Sequence, residues 1–335
     1  MTPLLNIMRA LADPTRMRIT LLIRQLELSV SEVVQILGQS QPRVSRHIKI
    51  LDEAGIAERR REGAWVFLRP GPMLSHPAIE PLFSLPGTED SRPVLRDLAR
   101  LEEVRSARTE MAAAYFDAHA EQWDQIRSLH IAEAEVETAM RMLLGEAPVG
   151  RVLDIGTGTG RMIELFARHA DRFVALDNSV EMLRLARAKL GGMEYAAAVQ
   201  AHTEIVLGDF NTLPFPDGSF DTILFHQVLH YAQHPERAIA EAARVLAPEG
   251  RLLVVDFAAH DVEELRSVHA HARLGFTDES MARAFGSAGL VPVRTETLAG
   301  GKLAVKIWLG QRGLSTSESA SESPKLRLPL IRNVA

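Results

Sequence analysis

The chain has 335 residues, a hydrophobic content of 46% and a formal net charge of −5. That length predicts two domains, with ample apolar material for two packed cores. With no cysteine, disulfides and thiolate metal sites are excluded.

The charge is uneven. Residues 1–69 carry eleven Lys/Arg and seven Asp/Glu, so the acidic surplus lies entirely in the remainder. A basic N-terminal module beside an acidic body suits nucleic-acid contact by the first part alone. The N-terminus lacks the layout of a secretory signal, and no apolar run reaches about 18 residues. The reading is a cytoplasmic protein that makes no membrane contact.

In chain order, residues 1–69 read as a compact helical unit closed by a hairpin. Ser31–Gly38 is a short amphipathic helix ended by glycine. Pro42 opens a second helix, well placed in a first turn. Val44, Ile48 and Leu51 form its apolar stripe. Ser40, Gln41, Arg43, Ser45, Arg46, His47 and Lys49 lie away from that stripe, as candidates for base edges and phosphates. Two strands, Ile56–Arg61 and Ala64–Arg69, turn at Glu62-Gly63. Arg59, Arg60 and Arg61 are placed there to reach the DNA backbone or minor groove.

Residues 70–109 read as a proline-rich linker and a connecting helix, with two or three helices over 94–144. From 151 strands and helices alternate. Strands are predicted at 151–155, 172–177, 204–208, 220–226 and 250–257, with helices near 160–169, 180–190, 235–246 and 277–288. Strands 291–298 and 302–309 flank Gly300-Gly301 as a hairpin. Residues 312–335 are Ser/Glu-rich with few apolar anchors, and are expected to form a disordered tail.

The segment Asp154-Ile-Gly156-Thr157-Gly158-Thr-Gly160 follows a strand and opens a helix. Glycines let a backbone approach a ligand without a Cβ clash. The spacing is Gly-x-Gly-x-Gly, whereas the dinucleotide fingerprint needs a third glycine where Arg161 stands. Asp177 ends the next strand, where a carboxylate can accept ribose hydroxyls.

Ala10-Leu-Ala-Asp-Pro-Thr-Arg-Met-Arg-Ile19 and Val44-Ser-Arg-His-Ile-Lys-Ile-Leu-Asp-Glu-Ala-Gly55 resemble the ArsR-type winged-helix repressors. That resemblance implies a homodimer on double-stranded operator DNA, with paired recognition helices on two half-sites. Thiolate-sensing members carry Cys-Val-Cys where Leu28-Ser29-Val30-Ser31 stands here, and serine is a poor soft-metal ligand. His76 and Glu80, separated by Pro77, do not read as a metal pair. No metal is expected.

Asp177-Asn-Ser-Val-Glu-Met-Leu183, Leu207-Gly-Asp-Phe210, Pro214–Asp221 and Arg244–Asp256 resemble the class I S-adenosylmethionine-dependent methyltransferases over residues 110–311. The resemblance implies an α/β two-domain chain, its C-terminal part a seven-stranded Rossmann-like sheet with an antiparallel final hairpin. It also implies that Asp154 and the loop Gly156, Thr157, Gly158 and Gly160 border the methionine moiety and ribose. Asp177 would hold the ribose, Asn178 and Met182 the adenine. Asp209 would accept from the adenine amino group beside Phe210. Residues from Phe225 to Leu229 would face the amino-acid end. Tyr115 and Trp123 resemble a lid, where aromatics could attract a sulfonium. His226, His230, His234, His269 and His271 are unassigned as bases. Pro248-Glu249-Gly250 stands where Pro-Gly-Gly is usual, and little effect is expected.

Three readings follow. The second domain senses S-adenosylmethionine or S-adenosylhomocysteine for a DNA-binding regulator, an architecture that resembles S-adenosylhomocysteine-responsive repressors. Alternatively it is an active methyltransferase. The third, arsenite methylation, needs thiolates that this chain lacks.

Overall fold

In the computed structural model the described residues are 3–62, 65–74, 76–77, 79–84, 91–120, 133–145, 147–193, 196–299 and 303–313. Trp123, the Gly63 and Gly300-Gly301 turns and the tail beyond 313 fall outside them. None of the described helices is long and apolar enough to cross a membrane.

The N-terminal unit is α1 (Pro3–Leu11), α2 (Pro14–Gln25), β1 (Leu28–Ser29), α3 (Val30–Leu37), α4 (Gln41–Glu53), β2 (Ala57–Glu62) and β3 (Trp65–Pro70). Local chemistry sets the boundaries. Asp13 caps α2 by accepting from the Arg16 amide. Ser29 and Glu32 form a reciprocal capping box at the start of α3. Gly38 ends α3 at φ +65°, a left-handed turn that glycine makes without strain. Val44, Ile48 and Leu51 of α4 are buried, as the stripe predicts, and pack with Ile19, Leu22, Ile36 and Leu68. The wing forms a three-stranded sheet in the order β1-β3-β2.

A 28-residue helix, α5 (Arg92–His119), follows the linker. It is pinned to the first unit by polar contacts. The buried Asp97 accepts from Arg18 Nη2 at 2.8 Å. Arg100 donates to the Ile36 carbonyl at 2.8 Å. Arg108 pairs with Glu32 at 2.6 Å.

After α6 (Glu133–Leu144) the alternating part begins. Its strands are β4 (Arg151–Ile155), β5 (Arg172–Asp177), β6 (Thr203–Leu207), β7 (Phe220–His226), β8 (Leu246–Phe257), β9 (Leu290–Leu298) and β10 (Val305–Arg312). Helices α7 (Arg161–Phe166), α8 (Val180–Gly192), α9 (Ala196–Gln200), α10 (Pro235–Val245), α11 (Glu264–His269) and α12 (Asp278–Ser287) connect them. The sheet has seven strands in the order β6-β5-β4-β7-β8-β10-β9. β10 runs antiparallel to both neighbours, so the expected hairpin is present. Apolar clusters fill both faces of the sheet, as parallel strands require.

β8 begins at Leu246, four residues before the predicted start, and its pairing with β7 shifts register between Phe220 and Thr222. The turn there holds Glu249 at φ +60°. Glycine would occupy that conformation without strain; glutamate adopts it at a cost. Asp177 and the glycine loop end their strands at the carboxyl edge, where open α/β sheets receive ligands.

Candidate functional site

The glycine loop is held tightly between the strand ends. Gly156 lies at φ +72°, and a Cβ there would meet Val228 Cγ2 at 2.3 Å. Gly160, at φ +87°, is backed by Ala186 of α8. Asp177 anchors the loop from below: its carboxylate accepts from the Gly158 amide at 2.8 Å and the Ser179 amide at 2.9 Å. Burial raises its pKa above 3.8, and the backbone amides of Ser179, Gly158 and Asn178 work against that rise.

A cavity of about 980 Å³ opens over this edge. Asp154, Gly156, Thr157, Gly158, Asp177, Asn178, Met182, Asp209 and Phe210 all line it. Asp209 Oδ1 accepts from the Asn211 backbone and side chain, both at 2.8 Å. Thr157 Oγ1 is buried without a hydrogen-bond partner among the described residues, and so is Gln233 Oε1. Both residues line the cavity. Such orphaned groups in a close-backed glycine cradle fit a polar ligand at this edge.

Three anticipated residues stand elsewhere. Phe225 is fully buried in the core, while His226, Gln227 and Val228 line the cavity. Strand alternation turns Phe225 into one sheet face, and only residues past the strand end reach the mouth. Tyr115 donates to or accepts from His269 Nδ1 at 2.6 Å and does not line the cavity; its neighbour Phe116 does, packed 4.7 Å from Tyr231. Gly160 supports the loop behind the cavity wall rather than lining it.

The winged helix supplies the opposite wall. Ser29, Glu32, Trp65 and Phe67 line the same cavity as the glycine loop. Trp65 and Phe67 share one face of β3, and Arg266 of α11 stacks 4.9 Å over the Phe67 ring. Period-two aromatics on a hairpin were the available signal, but the partner face was not legible.

Glu27, between α2 and β1, joins the domains. It accepts from Arg60 of the wing at 2.9 Å and pairs with Arg273 of the C-terminal part. Burial opposes the Glu27 charge, but Arg273 and Arg60 outweigh it and hold the carboxyl below its usual value. Arg60 therefore turns into the domain contact, while Arg59 and Arg61 stay exposed. Removing the charge with Glu27→Gln should cost about 3–5 kcal/mol, because Arg60 and Arg273 lose the carboxylate they share. The carboxylate's contribution should be complete above pH 4.5 and fade as pH falls through its depressed folded value. Urea unfolding of both proteins at neutral pH checks this; identical midpoints would refute it.

On α4, Ser40, Gln41, Arg43, Ser45, Arg46 and Lys49 are exposed together. His47 is not part of that surface. Its side chain is 14% exposed, with Nδ1 3.7 Å from Asp13. Burial lowers its pKa and outweighs the attraction of Asp13. On the wing, Arg59 pairs with Asp52 of α4 at 2.8 Å.

Among the described residues no group of three or more His, Cys, Asp or Glu is arranged to hold a metal.

Residues 13–59 match the family described as bacterial regulatory protein, arsR family, and residues 153–254 match the methyltransferase domain family. The demethylmenaquinone methyltransferase of Renibacterium salmoninarum is 30% identical over 165 residues, 48% of this chain and 65% of that protein. An uncharacterised 37.1 kDa protein in a transposon of Streptomyces fradiae is 31% identical over 225 residues, 61% of this chain and 62% of that protein. The chain thus spans just under two thirds of these curated relatives. Among solved structures, the N-methyltransferase NodS from Bradyrhizobium japonicum, in complex with S-adenosyl-L-homocysteine, is 20% identical with a TM-score of 0.44. That match covers 54% of this chain and 87% of NodS. The chain carries an arsR-family helix-turn-helix at its N-terminus and a Rossmann-like methyltransferase domain behind it.

Proposed function

We propose that this chain is a DNA-binding transcriptional regulator, a repressor, whose methyltransferase-like domain binds S-adenosylmethionine or S-adenosylhomocysteine as effector. The observation that carries the reading is the shared cavity: wing residues and glycine-loop residues face one volume. A ligand held there touches the DNA-binding unit directly.

Asp177 would accept from the ribose hydroxyls, since a carboxylate keeps acceptor capacity after two amides are bound. Asp209 Oδ2, without a partner among the described residues, would accept from the adenine amino group. Asn178, Met182 and Phe210 would flank the ring, and Thr157 Oγ1 would gain a partner. S-adenosylmethionine brings a positive sulfonium and a transferable methyl; S-adenosylhomocysteine brings neither.

A homodimer on an inverted repeat fits the exposed apolar residues Leu4, Leu5 and Met8 of α1 and Leu95 of α5. Arg46→Ala should weaken operator binding by about 1–3 kcal/mol and relax preference at one base position. Fluorescence anisotropy with the chain's own promoter, at fixed salt, measures this. A variant that binds as the parent does would remove Arg46 from the recognition surface.

The second reading, an active methyltransferase, is favoured by the cavity itself. Its volume lies at the upper end of the roughly 300–1,000 Å³ range of small-molecule sites, leaving room for an acceptor. One experiment separates the two readings. Both nucleosides are titrated into protein bound to promoter DNA while methyl transfer is followed. Release or tightening without transfer supports the regulator; transfer without any change in DNA affinity supports the enzyme.

A further inference from the structure

A second cavity, of about 730 Å³, lies between the domains, with Glu27 in its lining. Seven arginines line it against three acidic residues, Glu27, Glu236 and Asp261. Arg60 and Arg273 already grip Glu27, so its charge is spent on holding the domains together.

The remaining guanidiniums come from both walls. Arg24 of α2 and Arg61 of β2 belong to the winged helix, as does Arg69 of β3, whose guanidinium is paired with Glu58 at 2.7 Å; Arg237 of α10 and Arg283 of α12 belong to the methyltransferase domain. Arg24 rests on the Phe83 ring, 4.6 Å from its centroid, and forms no ion pair with any described carboxylate. Among the described residues Arg283 reaches only Glu279, at 4.0 Å, with both side chains more than half exposed.

A solvated surface spreads like charges apart. Here they converge on one concave volume, where low-dielectric walls focus the field on an anion. Burial and the neighbouring Arg273 and Arg69 disfavour the charged form of Arg60. Glu27 offsets part of that repulsion, and an anion in the cleft would offset more of it.

We propose that this interdomain cleft is a phosphate-binding site, taking a phosphate group between the arginines of the two domains. Guanidinium forks match phosphate oxygens in geometry as well as charge. The phosphate has two sources. A phosphodiester of DNA running past the wing would extend the operator contact onto the methyltransferase domain. A free phosphorylated metabolite would instead clamp the two domains together. Only the first source rests on the regulator reading.

Pyrophosphate is the probe, titrated calorimetrically into the full chain without DNA. Arg24→Glu and Arg283→Glu reverse one charge on each wall, and neither residue lines the nucleoside cavity. Thermal unfolding verifies that both variants fold. In parallel, operator affinity is measured across salt concentrations for the parent and both variants.

If the source is free phosphate, pyrophosphate binds the parent, each variant loses at least about tenfold in affinity, and the salt dependence for DNA is unchanged by Arg283→Glu. If the source is DNA, Arg283→Glu lowers the salt slope by about one and pyrophosphate competes with operator. Folded variants that bind pyrophosphate as the parent does, with unaltered salt slopes, would overturn the proposal. Nucleoside control of the operator can fail while pyrophosphate binding persists, so the two readings fall separately.

Discussion

Asp177→Ala is expected to lower nucleoside affinity by about a hundredfold or more. The carboxylate would make two charge-assisted hydrogen bonds to the ribose, each worth about 1.5–3 kcal/mol. The structure adds a second loss. The same carboxylate holds the Gly158 and Ser179 amides, so the alanine variant also releases the loop that forms the cavity floor. Asp177→Asn separates these effects, keeping an acceptor oxygen while removing the charge; it should fall between parent and alanine. Acidity supplies a third check. Burial raises the Asp177 pKa above 3.8, so its ionised form is lost at a higher pH than a solvated carboxylate's. Nucleoside affinity should begin to fall on acidification before exposed carboxylates titrate. Calorimetry on the three proteins between neutral pH and pH 4 tests this, and unchanged affinity in Asp177→Ala would remove Asp177 from the pocket.

The sheet was legible because its signals are local. Apolar runs bounded by Gly, Asp and Pro mark strands, and β4, β5 and β7 fall within a residue of their predicted spans. Gly156 and Asp177 were legible for the same reason: a loop between a strand and a helix fixes its own geometry. What escaped depends on the facing domain. Arg60 looks like its neighbours Arg59 and Arg61, yet strand alternation sends it toward Glu27 and Arg273, which lie far away in sequence. His47 looks like a base-reading residue on a basic helix. Its position one turn from Arg43 places it beside the N-cap of α2, a contact that no helical pattern announces. Phe225 lies on the correct strand but the wrong face. Trp65 and Phe67 read as ordinary wing aromatics until the second domain supplies the cavity they face.

The coupling between nucleoside and operator is expected to be about 5–150-fold, the usual 1–3 kcal/mol between linked sites. S-adenosylhomocysteine is the expected effector. It differs from S-adenosylmethionine by one methyl and one positive charge, so a sensor must read a small change. The cavity wall suits that task. Glu32, whose carboxylate also caps α3 and pairs with Arg108, lines the volume together with Trp65 and Phe67 of the wing. A change in ligand charge or contact there acts on the strand and the helix cap that position the DNA-binding unit. Trp65→Ala removes the largest wing side chain from the cavity and should bring the coupling close to onefold. Linkage requires reciprocity: operator DNA must shift nucleoside affinity by the same factor as the nucleoside shifts operator affinity. Both legs are measurable, by anisotropy on labelled operator and by calorimetry on the nucleoside at saturating DNA. If neither nucleoside alters operator binding and DNA leaves both nucleoside affinities unchanged, the regulator reading fails. The shared cavity would then serve an acceptor substrate, with the wing as its outer wall.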